Sequence, residues 1–292
     1  MLVKIFKYNF FIVKVYPFLI IISMVITKKE FDAIKKHKEK EVFWLEVDFG
    51  LQKVRVSRGK TQALIEGEFS LNFREKVKDN RCYLLDNQGL RDISFFSSQT
   101  NRFYKLVPTA DWPTISISYV PMHRLSSPKK DTQNKISLIK PYGEVLDTCM
   151  GLGYSAILAS RTAARVITFE KDENVLAIAK INPFSQELFY SQNISIRSAD
   201  IFLAIRNMEE QSFDCVVHDP PTFKLAGELY SEEFYSSIMQ VLKTGGKFFH
   251  YTPLYKIKQG FDFPRTVGKR LKTAGFKQIS YSKEASGFLC FK

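Results

Sequence analysis

The sequence is poor in cysteine and histidine, and this scarcity excludes two classes of protein. The 292 residues include four histidines and four cysteines, Cys82, Cys149, Cys215 and Cys290. The cysteines are scattered, with no CxxC pair and no histidine at metal-ligand spacing. A disulfide-stapled scaffold and a structural zinc site are therefore excluded, and we expect no metal. Small buried thiols are the default in apolar surroundings, so we expect reduced cysteines in a cytoplasmic protein.

The chain also lacks an apolar run long enough to cross a bilayer unaided. Residues 1–27 form a hydrophobic leader, but its uninterrupted part, Val15 to Thr27, is shorter than the roughly 20 residues of a spanning helix. No small-residue cleavage site of the usual signal-peptide kind follows. Three interpretations stay open: a membrane anchor, an added strand, or translation that starts at Met24. We favour the start at Met24, and expect membrane contact only if residues 1–27 are retained.

Acidic residues are fewer than basic residues in this chain. Lysine and arginine total 43 against 30 aspartates and glutamates, which gives a formal net charge of +13. This charge favours a polyanionic partner, and we expect RNA to bind through a basic surface. The basic residues considered for that surface are Lys28 to Lys40, Lys129, Lys130, Lys256, Lys258, Arg265, Lys269, Arg270 and Lys272. Taken singly, each is typical of a solvated surface.

What the chain does have is apolar sequence for a large core, since 45% of its residues are hydrophobic. Between residues 28 and 120, a basic helix is followed by short stretches in which apolar and polar residues alternate. These stretches predict a small β-rich domain. Residues 121–143 hold prolines, serines and lysines, and predict a linker with a helix.

From residue 144 to 292, predicted strands and helices alternate. The strands before the last segment are Val145–Thr148, Arg165–Glu170, Ile194–Arg197, Phe213–His218 and Gly246–Tyr251. This order predicts an α/β domain with a doubly wound, mostly parallel sheet. The last segment, FKQISYSKEASGFLCFK, contains two strands and no helix between them. We therefore expect seven strands in total, with a terminal antiparallel hairpin.

Three acids follow three successive strands of this sheet. In doubly wound sheets, ligands bind beyond the carboxyl ends of the strands, and the first strand-to-helix turn makes the closest contacts. The stretch VLDTCMGLGYSAILAS places Asp147, Gly151 and Gly153 in that turn. Glu170 follows the second strand, where a carboxylate can accept ribose hydroxyls, and Asp200 follows the third. The plain alternative is that each acid caps the next helix, which suits Asp200 best.

A dinucleotide-dependent oxidoreductase also has an acid after its second strand, so the alternative of NAD must be weighed. Ala156 takes the place of the third glycine in the GxGxxG pattern, although alanine is tolerated there. Asp147, just before the turn, suits a cationic group better than a pyrophosphate. Together with the terminal hairpin, this favours S-adenosylmethionine, which is cationic and carries no phosphate.

Four blocks of sequence carry a family resemblance: VLDTCMGLGYSAILAS, FEKDENVLAIAKINPFS, FDCVVHDPPTFKLAGELYSEEFY and GGKFFHYT. Residues 144–292 resemble a class I S-adenosylmethionine-dependent methyltransferase, and the blocks resemble a family of predicted archaeal methyltransferases of unassigned substrate. The resemblance implies that the loop holds the methionine part, that Glu170 holds the ribose, and that Asp200 holds the adenine. The cofactor-binding residues we expect are Asp147, Thr148, Gly151, Gly153, Tyr154, Glu170, Lys171, Asp200, Ile201 and Asp219.

The stretch HDPPTF ends the fourth strand and resembles the Asp/Asn-Pro-Pro-aromatic signature of amino-group methyltransferases. The resemblance implies that Asp219 and the carbonyl of Pro220 orient a planar amine while an aromatic ring stacks on the base. Thr222 stands at the usual aromatic position here, and the ring follows one residue later. The catalytic residues we expect are Asp219, Pro220, Pro221 and Phe223. The plain alternative for the prolines is a rigid turn out of a buried strand.

These observations favour methylation of RNA, either tRNA or rRNA, with a base nitrogen as the favoured acceptor. The alternatives within enzymes are aminopropyl transfer to a polyamine and methylation of a protein or small molecule. The alternative outside enzymes is a nucleic-acid-binding protein with an inert cofactor fold. Asp147 and the basic surface argue against a polyamine substrate. Intact Gly151, Glu170 and Asp219 argue against an inert fold.

Overall fold

The computed structural model describes three stretches of the chain, residues 23–123, 127–253 and 262–292. The leader up to residue 22 lies outside the described residues, as do Lys256 and Lys258 of the predicted basic surface. Within the described stretches, no helix has the length and apolar character needed to cross a membrane. Cys149, Cys215 and Cys290 take part in no disulfide, and Cys82, Cys215 and Cys290 are buried.

The contacts divide the described residues into two units. The first consists of the residues up to Asp79 together with Tyr83–Asp92. Its described helix and strands are β1 (Met24–Ile26), α1 (Lys28–Lys36), β2 (Val42–Val47), β3 (Gln52–Arg58), β4 (Gln62–Ile65), β5 (Phe69–Asn72), β6 (Tyr83–Asp86) and β7 (Gly89–Asp92). They form two antiparallel sheets with the orders β1-β6-β7 and β2-β3-β4-β5.

Alternation of side chains builds the core of the first unit. In β3, Val54 and Val56 are fully buried, while Lys53 and Arg55 between and beside them are exposed, as the two-residue period of a strand requires. Helix α1 ends at Lys36, whereas the sequence predicts a helix as far as Lys40. No apolar residue lies between Ile34 and the next strand. A longer helix would therefore have no further side chain to bury in the core after Ile34.

Strand β1 belongs to this core, because all three of its residues are at most 2% exposed. The backbone N–H of Val25 donates to the buried carboxylate of Asp48 at 2.5 Å. Burial raises the pKa of Asp48 to about 7. The chain from Met24 to Ile26 is therefore a buried strand of the first unit.

The second unit consists of Asn80–Cys82 and Ile93–Lys292. Its described strands are β8 (Ser94–Ser97), β9 (Arg102–Val107), β10 (Thr114–Ile117), β11 (Val120–Pro121), β12 (Gly143–Asp147), β13 (Ala163–Phe169), β14 (Ile194–Arg197), β15 (Phe213–His218), β16 (Leu242–Tyr251), β17 (Lys277–Ser282) and β18 (Gly287–Phe291). Its described helices are α2 (Pro128–Ile139), α3 (Tyr154–Ala159), α4 (Glu173–Ile181), α5 (Glu187–Tyr190), α6 (Ile201–Ala204), α7 (Glu232–Val241) and α8 (Phe263–Thr273).

The larger sheet of this unit has the strand order β14-β13-β12-β15-β16-β18-β17. The first five strands in this order are parallel, and β18 is antiparallel to both of its neighbours. The mostly parallel α/β sheet and the terminal antiparallel hairpin are thus confirmed. The central strands carry continuous apolar runs, such as Cys215–Val217, because helices cover both faces of a parallel sheet. The chain reverses its direction of progress across the sheet beside β12, which makes a switch point there.

Strands β8 to β11 form an antiparallel sheet that belongs to the second unit. The sequence pattern predicts instead a β-rich domain that extends to residue 120. Contacts over long sequence separations explain the difference. The hydroxyl of Tyr104 donates to Asp172 at 2.6 Å, and that of Tyr154 donates to the carbonyl of Pro113 at 2.7 Å. The Trp112 ring lies 4.9 Å from that of Tyr154. Short strands look alike in sequence whichever unit they join.

Candidate cofactor and acceptor site

The carboxyl ends of β12, β13, β14 and β15 meet at one edge of the large sheet, beside the switch point. Parallel strands end on the same side, so each delivers the acid that follows it to this edge. The edge therefore gathers Asp147, Glu170, Asp200 and Asp219. We describe the first three acids as the cofactor half of the edge, and the loop from Asp219 to Phe223 as the acceptor loop.

The two glycines after β12, Gly151 and Gly153, differ in what surrounds their Cα atoms. Both adopt positive φ, 54° at Gly151 and 78° at Gly153, which side chains rarely allow. A Cβ on Gly153 would overlap the side chain of Leu188, so packing against α5 requires this glycine. A Cβ on Gly151 would meet nothing within 4 Å. Of these two glycines, Gly151 is therefore the one that borders open space, where a ligand could approach the backbone.

Asp147 lies beneath the loop and is fully buried. Its Oδ1 accepts from Ser155 Oγ at 3.0 Å, and its Oδ2 accepts from Thr168 Oγ1 at 2.6 Å. Desolvation nevertheless raises the pKa of Asp147 to about 7, because the two hydroxyls compensate only part of the cost of a buried charge. A cation brought close to this acid would favour its ionised form.

Glu170 stands beside the loop and is partly buried. Its Oε2 accepts the N–H of Gly151 at 3.0 Å, and its Oε1 accepts the N–H of Asp172 at 2.9 Å. Burial raises the pKa of Glu170 to about 7. Each oxygen of an ionised carboxylate has a second lone pair, so both can still accept a hydroxyl of a ligand.

Asp200 has the helix-capping role that was its plain alternative. Its Oδ1 accepts the N–H of Phe202 at 2.9 Å, and its Oδ2 pairs with Lys171 Nζ at 3.1 Å. Lys171 also lies 3.5 Å from Glu228. Ile201 is 5% exposed and packs in the core. The structure thus places Ile201, which the sequence predicts as a cofactor-binding residue, in the packed core.

Two further residues expected to bind the cofactor have hydroxyls that are engaged within the protein. The hydroxyl of Thr148 lies 2.6 Å from His218 Nδ1 and links the ends of β12 and β15. The hydroxyl of Tyr154 donates to the carbonyl of Pro113 and accepts from Asn182 Nδ2 at 2.9 Å. Both side chains are at least 96% buried. They hold the walls of the edge in place.

The acceptor loop leaves β15 at Asp219. Pro220 is buried, and the carbonyl of Pro221 accepts from the hydroxyl of Tyr230 at 2.9 Å. Phe223 is 46% exposed, and its ring meets that of Tyr230 edge-on at 5.7 Å. Tyr230 therefore supports the loop from below, while Phe223 keeps a free part of its ring at the surface.

Lys135 of α2 is a site residue that the sequence analysis missed. It is 3% exposed, and its Nζ lies 2.5 Å from Asp131 Oδ2 and 2.7 Å from Asp219 Oδ2. The ammonium group also stands 4.2 Å from the centroid of the Tyr251 ring. Burial alone would lower the pKa of Lys135, but the carboxylates of Asp219 and Asp131 raise it above its usual value. The sequence shows only the helical i, i+4 spacing to Asp131, because Asp219 is distant along the chain.

Asp219 uses one oxygen for this ion pair. Among the described residues, no hydrogen bond or ion pair reaches its other oxygen. The neighbouring His123 extends the cluster, since its Nε2 lies 3.9 Å from Asp131 Oδ2. The acceptor loop therefore begins with a carboxylate that is fixed on one side and open to a hydrogen-bond donor on the other.

Two buried histidines lie behind the acceptor loop, and both serve the framework. His218 Nε2 faces the carbonyl of Leu229 at 3.0 Å, which only accepts, so Nε2 carries the proton and Nδ1 accepts from Thr148. His250 Nε2 lies 2.7 Å from the hydroxyl of Tyr235. Burial lowers the pKa of both histidines, that of His218 to about 3. Both stay neutral at physiological pH.

Comparison with known proteins places the chain in a family. No protein-family model matches it. A relative from Methanocaldococcus jannaschii, "Uncharacterized protein MJ1233", is 42% identical over 280 residues, which span 91% of the chain and 95% of the relative. The chain belongs to the MJ1233 family. This MJ1233-family chain is also 26% identical over 150 residues to "Polyamine aminopropyltransferase 2" of Streptomyces coelicolor, across 48% of the chain and 26% of that protein.

Solved structures share the fold of the MJ1233-family chain. Spermidine synthase from Thermotoga maritima has a TM-score of 0.52 at 17% identity, over 68% of the chain and 70% of that structure. A spermidine synthase in complex with the transition-state analogue AdoDATO has a TM-score of 0.56 at 13% identity, over 88% and 82%. MNMC2 from Aquifex aeolicus has a TM-score of 0.50 at 19% identity, over 64% and 70%. These identities show the Rossmann-like α/β fold alone.

Proposed function

We propose that this protein is an S-adenosylmethionine-dependent methyltransferase that acts on RNA, with an amine nitrogen of a base as the acceptor. The observation that supports this most is the state of Asp219. One of its oxygens is held by the buried Lys135 at 2.7 Å, and the other has no partner among the described residues. Such a carboxylate is a hydrogen-bond acceptor held in place at the start of a loop that resembles the signature of amino-group methyltransferases.

The cofactor half fits S-adenosylmethionine. Gly151 borders open space, and Glu170 beside it offers two acceptor oxygens for ribose hydroxyls. Asp147 is a buried acid without a cationic partner among the described residues, and a cationic ligand would favour its ionised form. When bound, S-adenosylmethionine supplies an activated methyl group.

The residues of the acceptor loop would orient the base. Asp219 and the carbonyl of Pro220 would accept hydrogen bonds from a planar amine, and the exposed ring of Phe223 would stack on the base. Fixing the amine in this way supplies part of the rate enhancement through orientation. Lys135 holds one oxygen of Asp219 in place, which leaves the other oxygen to accept a hydrogen bond.

Aminopropyl transfer to a polyamine is the second candidate. The partial match to "Polyamine aminopropyltransferase 2" and the fold shared with spermidine synthases favour it. A polyamine is a polycation, however, and its recognition needs carboxylates that are free of other cations. Lys135 already neutralises Asp219, and the chain carries a net charge of +13. Methylation is therefore the function we prefer.

The test has two stages, and the second uses a matched variant. Calorimetric titration of the protein with S-adenosylmethionine, its decarboxylated form and NAD identifies the cofactor. Transfer of radiolabelled methyl groups to total RNA, by the protein and by its Asp219→Asn variant, then identifies the reaction. We expect tight binding of S-adenosylmethionine and labelling of RNA that depends on Asp219. Preference for the decarboxylated form, with aminopropyl transfer to putrescine, would overturn the proposal.

A further inference from the structure

One face of the sheet β8 to β11 carries three aromatic rings. Phe96 stands opposite Phe103 in the register of β8 and β9, and Tyr119 stacks on Phe103 with ring centroids 6.0 Å apart. Residues opposite each other in an antiparallel pair point to the same side of the sheet. Phe96 is 60% exposed and Tyr119 is 80% exposed. We call Phe96, Phe103 and Tyr119 the aromatic row.

The aromatic row does not belong to the hydrophobic core, which lies on the opposite face of β9. Along β9 the side chains alternate, and Tyr104 and Leu106 fill the opposite face, where both are fully buried. Tyr119 occupies the two-residue turn between β10 and β11 with a φ of 68°, a conformation that favours glycine or asparagine. A bulky tyrosine at this position strains the turn, and its exposed ring returns little stability to the fold. Packing and turn geometry therefore give no reason for a tyrosine at this position.

Cations accompany the aromatic row. The guanidinium of Arg81 lies 5.5 Å from the centroid of the Phe103 ring, and its Nη1 donates to Ser94 Oγ at 2.7 Å. Lys105 follows Phe103 on the same side of β9. The other residues that the register places on this face are all uncharged, namely Ser94, Val107, Thr114, Ser116 and Pro121. In this register the described strands thus place Lys105, the three rings and no acidic residue on this face.

The same face leads to the acceptor loop. Val107 lies four residues after Phe103, about 13 Å along an extended strand, and pairs with Thr114. The hydroxyl of Thr114 lies 3.0 Å from His123 Nδ1. His123 in turn reaches the cluster of Asp131, Lys135 and Asp219. Thr114 and its neighbour Ser116 are only 2% exposed, so these contacts run through the buried part of the face, and its exposed part is the aromatic row.

We propose that the aromatic row binds single-stranded RNA, with bases stacked on its rings and a phosphate near Lys105. The proposal rests on the proposed function and names the surface that holds the substrate outside the acceptor loop. Every base has a π-face, so rings of this kind bind single strands with little regard to sequence. A duplex keeps its base faces stacked inside the helix, so the row favours unpaired RNA over duplex RNA.

The test measures binding of a fluorescein-labelled 12-nucleotide RNA by anisotropy, with the full chain. The double variant Phe96→Ala/Tyr119→Ala should bind on the order of a hundredfold more weakly, at roughly tenfold for each stacked base. The matched control is Trp44→Ala, which removes a ring that is 62% exposed on a sheet of the first unit and should change the affinity less than twofold. Lys105→Gln should lower the salt slope of binding by about 0.7, the value for one phosphate contact on a single strand.

Three results would overturn this assignment: unchanged affinity in the double variant, equal binding of a hairpin duplex of the same composition, or loss of binding in Trp44→Ala to the same extent. A dimer in sedimentation that the double variant disperses, with RNA affinity unchanged, would also overturn it and make the face a contact between copies of the chain. Thermal melting checks that each variant is folded.

The same variants separate this proposal from the proposed function. Calorimetry with S-adenosylmethionine should give the same affinity for the protein and the double variant, because no residue of the aromatic row belongs to the cofactor half. RNA binding at the row without any methyl transfer would leave the row established and overturn the methyltransferase proposal. Methyl transfer to RNA by a protein whose RNA affinity does not depend on Phe96 and Tyr119 would do the reverse.

Discussion

The two halves of the sheet edge both contain buried or partly buried acids, the acceptor half being the acceptor loop together with Lys135 and Asp131. Only the acceptor half pairs its acid with a buried cation, because Lys171 beside Asp200 in the cofactor half is about half exposed. In the cofactor half, Asp147 and Glu170 are bonded to hydroxyls and backbone N–H groups, and neither has an ion pair among the described residues. Burial raises the pKa of each to about 7. In the acceptor half, Lys135 lies between Asp131 and Asp219.

This difference indicates which ligand charge each half favours. A buried acid without a cation is stabilised when a cationic ligand arrives, as S-adenosylmethionine would. An acid that is already neutralised gains less from a cation and suits a neutral donor such as a base amine. The comparison thus separates a half that recognises charge from a half that recognises hydrogen-bond geometry.

Lys135→Met would break the comparison most strongly, because it leaves two acids without their cation. Removing one partner of a buried ion pair costs about 3–5 kcal/mol of folding free energy. Chemical denaturation should show this loss. The matched control is Lys171→Met, whose ion pair with Asp200 is half exposed and should contribute at most about 1 kcal/mol. Equal losses in the two variants would contradict the special position of Lys135.

Asp219→Asn would disable the acceptor half alone. The amide keeps the shape of the side chain but loses the charge that accepts the amine hydrogen, so we expect methyl transfer to fall roughly 10²- to 10³-fold, as for other preorganised polar contacts. Affinity for S-adenosylmethionine in calorimetry should stay within about threefold. A parallel loss of cofactor binding would show that the two halves do not have separate roles.

Glu170→Ala would test the cofactor half. Loss of hydrogen bonds to a charged group should weaken binding of S-adenosylmethionine about 10- to 100-fold in calorimetry. Asp200→Asn serves as the control, because Asp200 caps α6 and pairs with the exposed Lys171. We expect a smaller effect there. If Asp200→Asn weakened binding more than Glu170→Ala, the assignment of the ribose to Glu170 would be wrong.

The pH dependence should give the smallest effect. Asp147 and Glu170 have pKa values raised to about 7, so the folded state holds protons that the unfolded state has lost. Their contribution to stability is therefore complete below about pH 4 and falls as the pH rises toward 7. Affinity for cationic S-adenosylmethionine should rise several-fold between pH 5.5 and 7.5, because both acids ionise in that range.

Calorimetry of the protein and of its Asp147→Asn variant at several pH values measures this effect. The variant should have a flatter profile, since one of the two titrating acids is gone. A profile that stays as steep in Asp147→Asn would assign the dependence to other groups.

The large sheet could be predicted because its signals are local. Strands Ile194–Arg197 and Phe213–His218 have the predicted bounds, since buried parallel strands read as short apolar runs between helices. The helix that this alternation predicts after Ile194–Arg197 is formed by α6 and a 3₁₀ turn at Ile205–Asn207. The short helix α5 was not predicted, because four residues carry too little periodicity.

The sequence by itself determined the succession of strands along the chain, and with it which acids follow strands that end at one edge of the sheet. Only the tertiary structure decided that Lys135 is a buried cation, that Gly153 packs too closely against Leu188 for a side chain, and that the hairpins from Ser94 to Pro121 join the second unit. The physical reason is the range of the interactions. Side-chain periodicity acts between near neighbours in the chain, whereas burial and ion pairing depend on residues brought together from far apart.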